Sequence, residues 1–213
     1  MTAIPKPAST VVLIDEMYRV YLTKRPKTMK FLGEHYVFPG GSVDKEDYLI
    51  GSDYIVGRPH GEFDQVHYIA AARELFEEVG ILLCMKDDGS TIQLTKEKEL
   101  EYRRQLVQGE ISFLHLLRQE GLYLNLNCLT YFGNRITPPK SPIRFDTRFF
   151  LAKLPEGQFP DPDLNEIDEA FWINPDAAIA AYQNGEMLMV TPTLLSLRTV
   201  MNYQKNGQLT ILE

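Results

Sequence analysis

The sequence predicts a mixed α/β fold, a sheet with helices on both faces. Three observations carry this expectation. Strand-like and helix-like segments are interleaved along the whole chain. The 213 residues are 44% hydrophobic and 24% charged, enough for one sizeable core. No internal repeat and no low-complexity tail interrupts the pattern. A single domain over residues 1–213 is therefore expected, with one irregular excursion at about 48–63 and a C-terminal helix at about 191–205.

Each element has a local reason. "STVVLID" and "RVYLTKR" read as the two strands of a hairpin, joined by a polar turn around Asp15 and Glu16. "HYVFPGG" runs an apolar strand into a double glycine. The next stretch, "DYLIGSDYIVGRPHGEFD", holds three glycines and a proline and looks too irregular for core. From about Asp64 the pattern turns helical through Glu78, with Gly80 where a left-handed C-terminal cap is expected. "TKEKELEYRRQLVQG" and "SFLHLLRQEG" give two further helices. Strands return at "LTYFGNRIT" and "RFDTRFFLAKL", separated by the stiff loop "PPKSP". The acidic loop "FPDPDLNEIDE" precedes a short strand, "AFWI". Two last helices follow at 175–185 and 191–207, with Pro175 and Pro192 in their first turns.

Composition also excludes. A net charge of -7 argues against broad nucleic-acid or anionic-membrane binding. Cys84 and Cys128 form no CxxC pair and read as small apolar residues in a reduced compartment. The N-terminus shows no basic region followed by a long apolar run, the C-terminus no targeting tripeptide, and no apolar stretch reaches membrane-spanning length. A cytoplasmic location is expected, without nucleic-acid or membrane partners, and a homodimer is left open.

The chemistry concentrates in "RELFEEVGI", residues 73–81. At about 100° per residue, Glu74, Glu77 and Glu78 share an arc of roughly 100° on a helix. Tyr68, Ile69, Ala72, Leu75, Phe76 and Val79 form an apolar stripe on the other side. Only Ala70, Ala71 and a solvated His67 are expected near the acidic arc, and the small residues there would leave space above the carboxylates. The like-charged i, i+4 pair Glu74 and Glu78 costs about a few tenths of a kcal/mol. The acids also lie toward the helix C-terminus, where the macrodipole disfavours them. A solvated acidic face is the bland alternative. A hard divalent cation, Mg²⁺ or Mn²⁺, removes both objections, whereas zinc would call for histidine or cysteine. Upstream, "FPGGSVDKED" ends in Gly40 and Gly41, where backbone can approach a ligand closely and offer a carbonyl.

Together, "GGSVDKED" and "RELFEEVGI" resemble the signature box of the Nudix hydrolases. Arg73 to Ile81 match its second half without exception, and Gly41 is its first glycine. Asp47 stands where the family has a glutamate, and residues 48–72 replace a much shorter spacer. Such a lengthened box is similar to that of the coenzyme A-cleaving branch. "YLTKRPKTMKFLGEHYVFPGG" resembles that branch's motif ahead of the box, through Leu22, Thr23, Arg25 and Phe38 to Gly41. "RITPPKSPIRFDTRFFLA" resembles a second segment of the lengthened-box proteins.

The resemblance implies an α/β/α Nudix sandwich with a mixed sheet, and hydrolysis of a diphosphate with Mg²⁺ or Mn²⁺ as cofactor. It implies Glu77 and Glu78 as metal ligands, Glu74 as ligand or base, and the Gly40 carbonyl as a further ligand. Arg73 would hold a glutamate in place from the helix flank. A later-loop base would be Glu166, with Asp168 and Glu169 as alternatives. Arg25 and Lys30 are first candidates for a substrate phosphate. Arg144 and Arg148 come second, and with Asp146 could instead pair among themselves. His35, His60 and His115 offer no constellation, and Trp172 reads as core. Coenzyme A or an acyl derivative is the leading substrate. ADP-ribose or a dinucleotide, or a sensor that binds nucleotide without cleaving it, are the alternatives.

Overall fold

The computed structural model describes residues 3–59, 61–210 and 212. In chain order its strands are β1 (Lys6–Ile14), β2 (Val20–Lys24), β3 (Tyr36–Val37), β4 (Gly40–Ser42), β5 (Ile55–Val56), β6 (Cys84–Met85), β7 (Tyr123–Asn125), β8 (Thr130–Ile136), β9 (Phe145–Lys153) and β10 (Glu169–Ile173). Its helices are α1 (Val66–Val79), α2 (Lys96–Val107), α3 (Phe113–Glu120), α4 (Pro175–Gln183) and α5 (Thr191–Asn206).

The main sheet runs β10-β2-β1-β9-β8, with β3 added to β2 and β4 to β1. β1 and β9 are parallel and the other pairs antiparallel, so the sheet is mixed. Alternation along β1 shows why both faces are covered. Val11 and Leu13 join a core with α1, α2 and α3, while Val12 and Ile14 join a second core with α4 and α5. The layers are therefore α/β/α. The β1–β2 hairpin closes where the Asp15 carboxylate accepts from the backbone N–H groups of Met17 and Arg19 at 3.0 and 2.8 Å. Cys84 is buried and Cys128 half-buried, both as free thiols. No helix among the described residues is long and apolar enough to cross a membrane.

Two expectations change. "HYVFPGG" is not one strand but two: β3 pairs with β2, then Phe38 and Pro39 carry the chain across to β4 on β1. Gly40 makes this crossing feasible. A Cβ there would lie 2.3 Å from the Ser9 carbonyl oxygen, and its φ of +152° disfavours any side chain.

The excursion at 48–63 is also not merely irregular surface. 3₁₀ turns at Lys45–Leu49 and Ser52–Tyr54 lead into β5, which pairs with β7 in a small three-stranded sheet with β6. Ile50 is buried, and Tyr54, Ile55 and Phe63 pack on the core. Strands of two residues have no periodicity to read, which is why the sequence hid them. His60 lies outside the described residues.

Candidate active site

Helix α1 buries its predicted stripe completely: Tyr68, Ile69, Ala72, Leu75, Phe76 and Val79 all sit in the core. Gly80 closes it in the left-handed conformation, its N–H reaching the Phe76 carbonyl at 2.9 Å. The small residues beside the acidic arc do something different from what the sequence suggests. Ala70 and Ala71 are fully buried, because α1 lies against β1 and β4. They admit sheet, not a ligand. His67 is buried rather than solvated, with Nδ1 3.2 Å from the Ala8 carbonyl and its own carbonyl accepting from the Ser9 hydroxyl at 2.7 Å.

Arg73 organises the site. Its Nε and Nη2 grip Asp47 through both carboxylate oxygens at 2.8 and 3.0 Å. Nη1 donates to Glu74 at 2.9 Å and Glu77 at 3.0 Å, and Nη2 also reaches the Ser42 carbonyl at 2.8 Å. Asp47, only 1% exposed, accepts further from the Asp44 N–H at 2.8 Å. The 3₁₀ turn at 45–49 brings the Asp47 backbone up to the helix, so the shorter side chain suffices where a glutamate was expected. Glu78 accepts from the Gly40 N–H at 3.1 Å. A Cβ at Gly41 would lie 2.5 Å from the Glu74 carboxylate, so the second glycine is a packing requirement of that glutamate.

The carboxylates are held in strongly unfavourable surroundings for charge. Burial pushes Glu74 up to about 7 against the opposing pull of Arg73. Glu77 rises to about 8, again by burial first, with Arg73 opposing and Glu74 reinforcing. Glu78 is driven well above its ordinary value by burial and by Glu74. Glu166 is raised by burial and by Asp163. It in turn raises Glu74 and Glu78, while Arg25 lowers Glu78 and Glu166, so Glu166 and Arg25 face the same cluster.

Uncompensated negative charge on hard oxygen donors fits a divalent cation such as Mg²⁺ or Mn²⁺. The side chains as they stand do not yet converge. Among the described residues no three acidic, histidine or cysteine side chains form a ready cage, since Glu74 and Glu77 turn to Arg73 and Glu78 to Gly40.

The remaining candidates separate. Arg25 follows β2 directly, with a buried Nε that has no partner. Lys30 is exposed on the following loop. Arg144 lies just ahead of β9 and spends its donors on the carbonyls of Thr137 and Ala3, at 2.9 and 2.7 Å. Arg148 pairs with Asp146 and covers the Phe63 ring at 5.5 Å. The two alternatives to Glu166 are less available or less enclosed: Glu169 accepts from the Tyr36 hydroxyl at 2.8 Å, and Asp168 is exposed. Trp172 packs against Tyr21, ring to ring at 5.1 Å. Beside Arg73 and Glu77 a cavity of about 430 Å³ opens between Asp44, Glu46, Glu110, Ile111 and Phe113.

Sequence reasoning missed Arg103. It lies on α2 and donates to the carbonyls of Glu77 and Glu78, both at 3.0 Å. A signal existed: a helix ending in glutamates needs a cation at its C-terminus. The sequence does not say which of many arginines supplies it.

Comparison with known proteins agrees with this geometry. The family model described as the NUDT19 Nudix domain matches residues 62–200. The chain is 23% identical over 239 residues to the acyl-coenzyme A diphosphatase NUDT19 of Xenopus laevis, covering 90% of this chain and 62% of that protein. The Gallus gallus protein of the same name is 29% identical over 242 residues, covering 90% and 63%. The chain thus spans roughly three-fifths of the length of these curated relatives. A crystal structure of a Nudix hydrolase from Alicyclobacillus acidocaldarius superposes with a TM-score of 0.88 at 29% identity, with both chains covered in full.

Proposed function

The chain belongs to the NUDT19 Nudix domain family, and on that premise we propose that it is a diphosphatase acting on coenzyme A or an acyl-coenzyme A. The observation that carries this reading is the group of Glu78, buried, with Glu74 and Glu77, half-buried, at the end of α1, facing Glu166 and Arg25. Catalysis of this kind is what makes so costly a cluster of carboxylates worth keeping.

Glu77 and Glu78 would hold Mg²⁺ or Mn²⁺, with Glu74 and the Gly40 carbonyl as further ligands. The bound ion would neutralise diphosphate charge and lower the pKa of an attacking water. Glu166 accepts the water proton in this reading, because burial raises its pKa above the ordinary carboxylate value and so makes it a stronger base; Glu74 is the alternative acceptor. Arg73 keeps Glu74 and Glu77 oriented from behind. Arg25 contributes a guanidinium toward a phosphate oxygen, with Lys30 outside it. The cavity beside Glu77 is rimmed by acids, so it favours an uncharged arm of the substrate over a second phosphate.

One observation favours a second reading, ADP-ribose or a dinucleotide. Arg144 and Arg148 are both engaged within the protein, which leaves few cations for the 3′-phosphate that distinguishes coenzyme A. The deciding experiment is a substrate panel with Mg²⁺ or Mn²⁺, read by product mass. Coenzyme A should yield 4′-phosphopantetheine and adenosine 3′,5′-bisphosphate. A preference for ADP-ribose moves the assignment to the second reading. Binding without cleavage of any diphosphate makes the protein a sensor.

A further inference from the structure

Arg103 is 5% exposed, yet all its nitrogens are used. Nε donates to the Glu77 carbonyl and Nη2 to the Glu78 carbonyl, both at 3.0 Å. Nη1 reaches Asp161 at 3.2 Å and, more weakly, Glu99 at 3.4 Å. The final carbonyls of a helix have no intrahelical partner. Those of α1 are closed from two sides, by Arg103 and by a separate loop. The Asp161 N–H donates to the Val79 carbonyl at 2.9 Å, and the Asp163 N–H to the Glu78 carbonyl at 2.8 Å.

The same loop delivers Glu166. The N–H groups of Glu166 and Ile167 return to the Asp163 carbonyl at 3.0 and 2.9 Å. Ile167 is buried, and the Asp168 N–H is tied to the Lys24 carbonyl at 2.9 Å. Glu166 therefore hangs between an anchor on α1 and an anchor on β2. Arg103 bridges the first of these, holding the peptide units of Glu77 and Glu78 with one edge and the Asp161 carboxylate with the other. Only a planar, multiply donating group can span two carbonyls and a carboxylate at once, which suits arginine and not lysine.

We propose that Arg103 is a positioning residue that fixes the Glu77–Glu78 turn and the Glu166 loop relative to each other. Its nitrogens all face protein groups, and it lies outside the signature box. Its catalytic consequence rests on the diphosphatase reading above; its mechanical consequence does not.

The test uses the full chain with Arg103→Met, Arg103→Lys, Asp161→Asn and the Arg103→Met/Asp161→Asn double variant. Amide hydrogen exchange at Asp161 and Asp163, read without substrate, should speed up in Arg103→Met and less in Arg103→Lys. Turnover per folded molecule should fall about 10- to 100-fold in Arg103→Met, the usual effect of removing a partner behind a site residue. KM should stay within about threefold, because substrate groups are untouched. Asp161 is partly exposed, so Asp161→Asn should fold normally and show a smaller loss in the same direction. The double variant should lose less than the product of the two single effects. Unchanged exchange at both amides overturns the proposal whatever the substrate proves to be. Unchanged kcat in folded Arg103→Met also overturns it, reducing Arg103 to a structural cap. If the wild type cleaves no diphosphate, the functional reading fails while the exchange comparison still decides the tether.

Discussion

Asp47→Asn separates two roles that sequence leaves tangled. The position corresponds to a glutamate in the Nudix box, and in the structure its carboxylate is buried under Arg73 in a two-pronged contact at 2.8 and 3.0 Å. Asparagine keeps the shape but turns an NH₂ toward a guanidinium that can only donate. Breaking a buried pair from one side costs about 3–5 kcal/mol. Arg73 retains Glu74, Glu77 and the Ser42 carbonyl, so the lower end, about 3 kcal/mol, is expected. For a domain of this size that lowers Tm by roughly 6–12 °C. Urea denaturation gives the stability, and calorimetric titration with Mn²⁺ gives the metal affinity. The expected result is a large shift in stability with Mn²⁺ affinity reduced only in proportion to Arg73 disorder. Wild-type stability together with a drop in Mn²⁺ affinity well beyond the roughly 10- to 100-fold loss of an outer partner would mean that Asp47 is itself a ligand, and its assignment as the partner of Arg73 would fail.

Other perturbations follow from the same geometry. Glu78→Gln should abolish most turnover yet raise the stability of the metal-free protein at neutral pH, because it removes a carboxyl whose ionisation burial penalises in the folded state only; a thermal melt with and without Mg²⁺ checks the stability, and the stabilisation by Mg²⁺, about 2.7 kcal/mol at 100 Kd in the wild type, should disappear. Ile50→Ala should cost about 2–5 kcal/mol by denaturant titration, as for a core residue, and a cost under about 0.5 kcal/mol would return residues 48–63 to the surface. His67 gives a pH signature. Burial holds its pKa below the ordinary 6.5, so the unfolded chain takes up the proton first as pH falls. Its contribution is complete above about pH 6.5 and drains away below it toward the folded-state pKa. The stability difference between wild type and His67→Gln should therefore shift against the wild type between pH 7.5 and 5.5, and a flat difference would sink this account.

The regular elements were legible because each had a period or a punctuation mark. α1 announced itself by its apolar stripe and Gly80, α4 and α5 by Pro175 and Pro192, and β1 by an apolar run that serves both faces of the sheet. The failures share a cause. β5, β6 and the β3–β4 crossing are set by pairing with distant strands, so Ile55 finds Leu124 and Gly40 finds Thr10. Nothing local encodes that. Ala70 and Ala71 depart from expectation for the opposite reason: small residues signal close approach, but not what approaches.

The site divides along the same line. Residue types and spacing within one turn of helix exposed Glu74, Glu77, Glu78 and Arg73, because a cluster of like charges demands explanation from the sequence itself. The explanation, however, is non-local. Arg73 reaches back to Asp47 across the excursion, and Arg103 reaches over from another helix to the carbonyls of the same turn. The two arginines divide the work by position. Arg73 meets the carboxylates of Glu74 and Glu77 on the helix flank, while Arg103 meets the backbone at the helix end. Neither faces the side where Glu166 adds to the rise in the Glu78 pKa. The charge left uncompensated is therefore confined to one side of α1, bordered by Gly40 and Arg25, and that is where a cation with its diphosphate would find the field it needs.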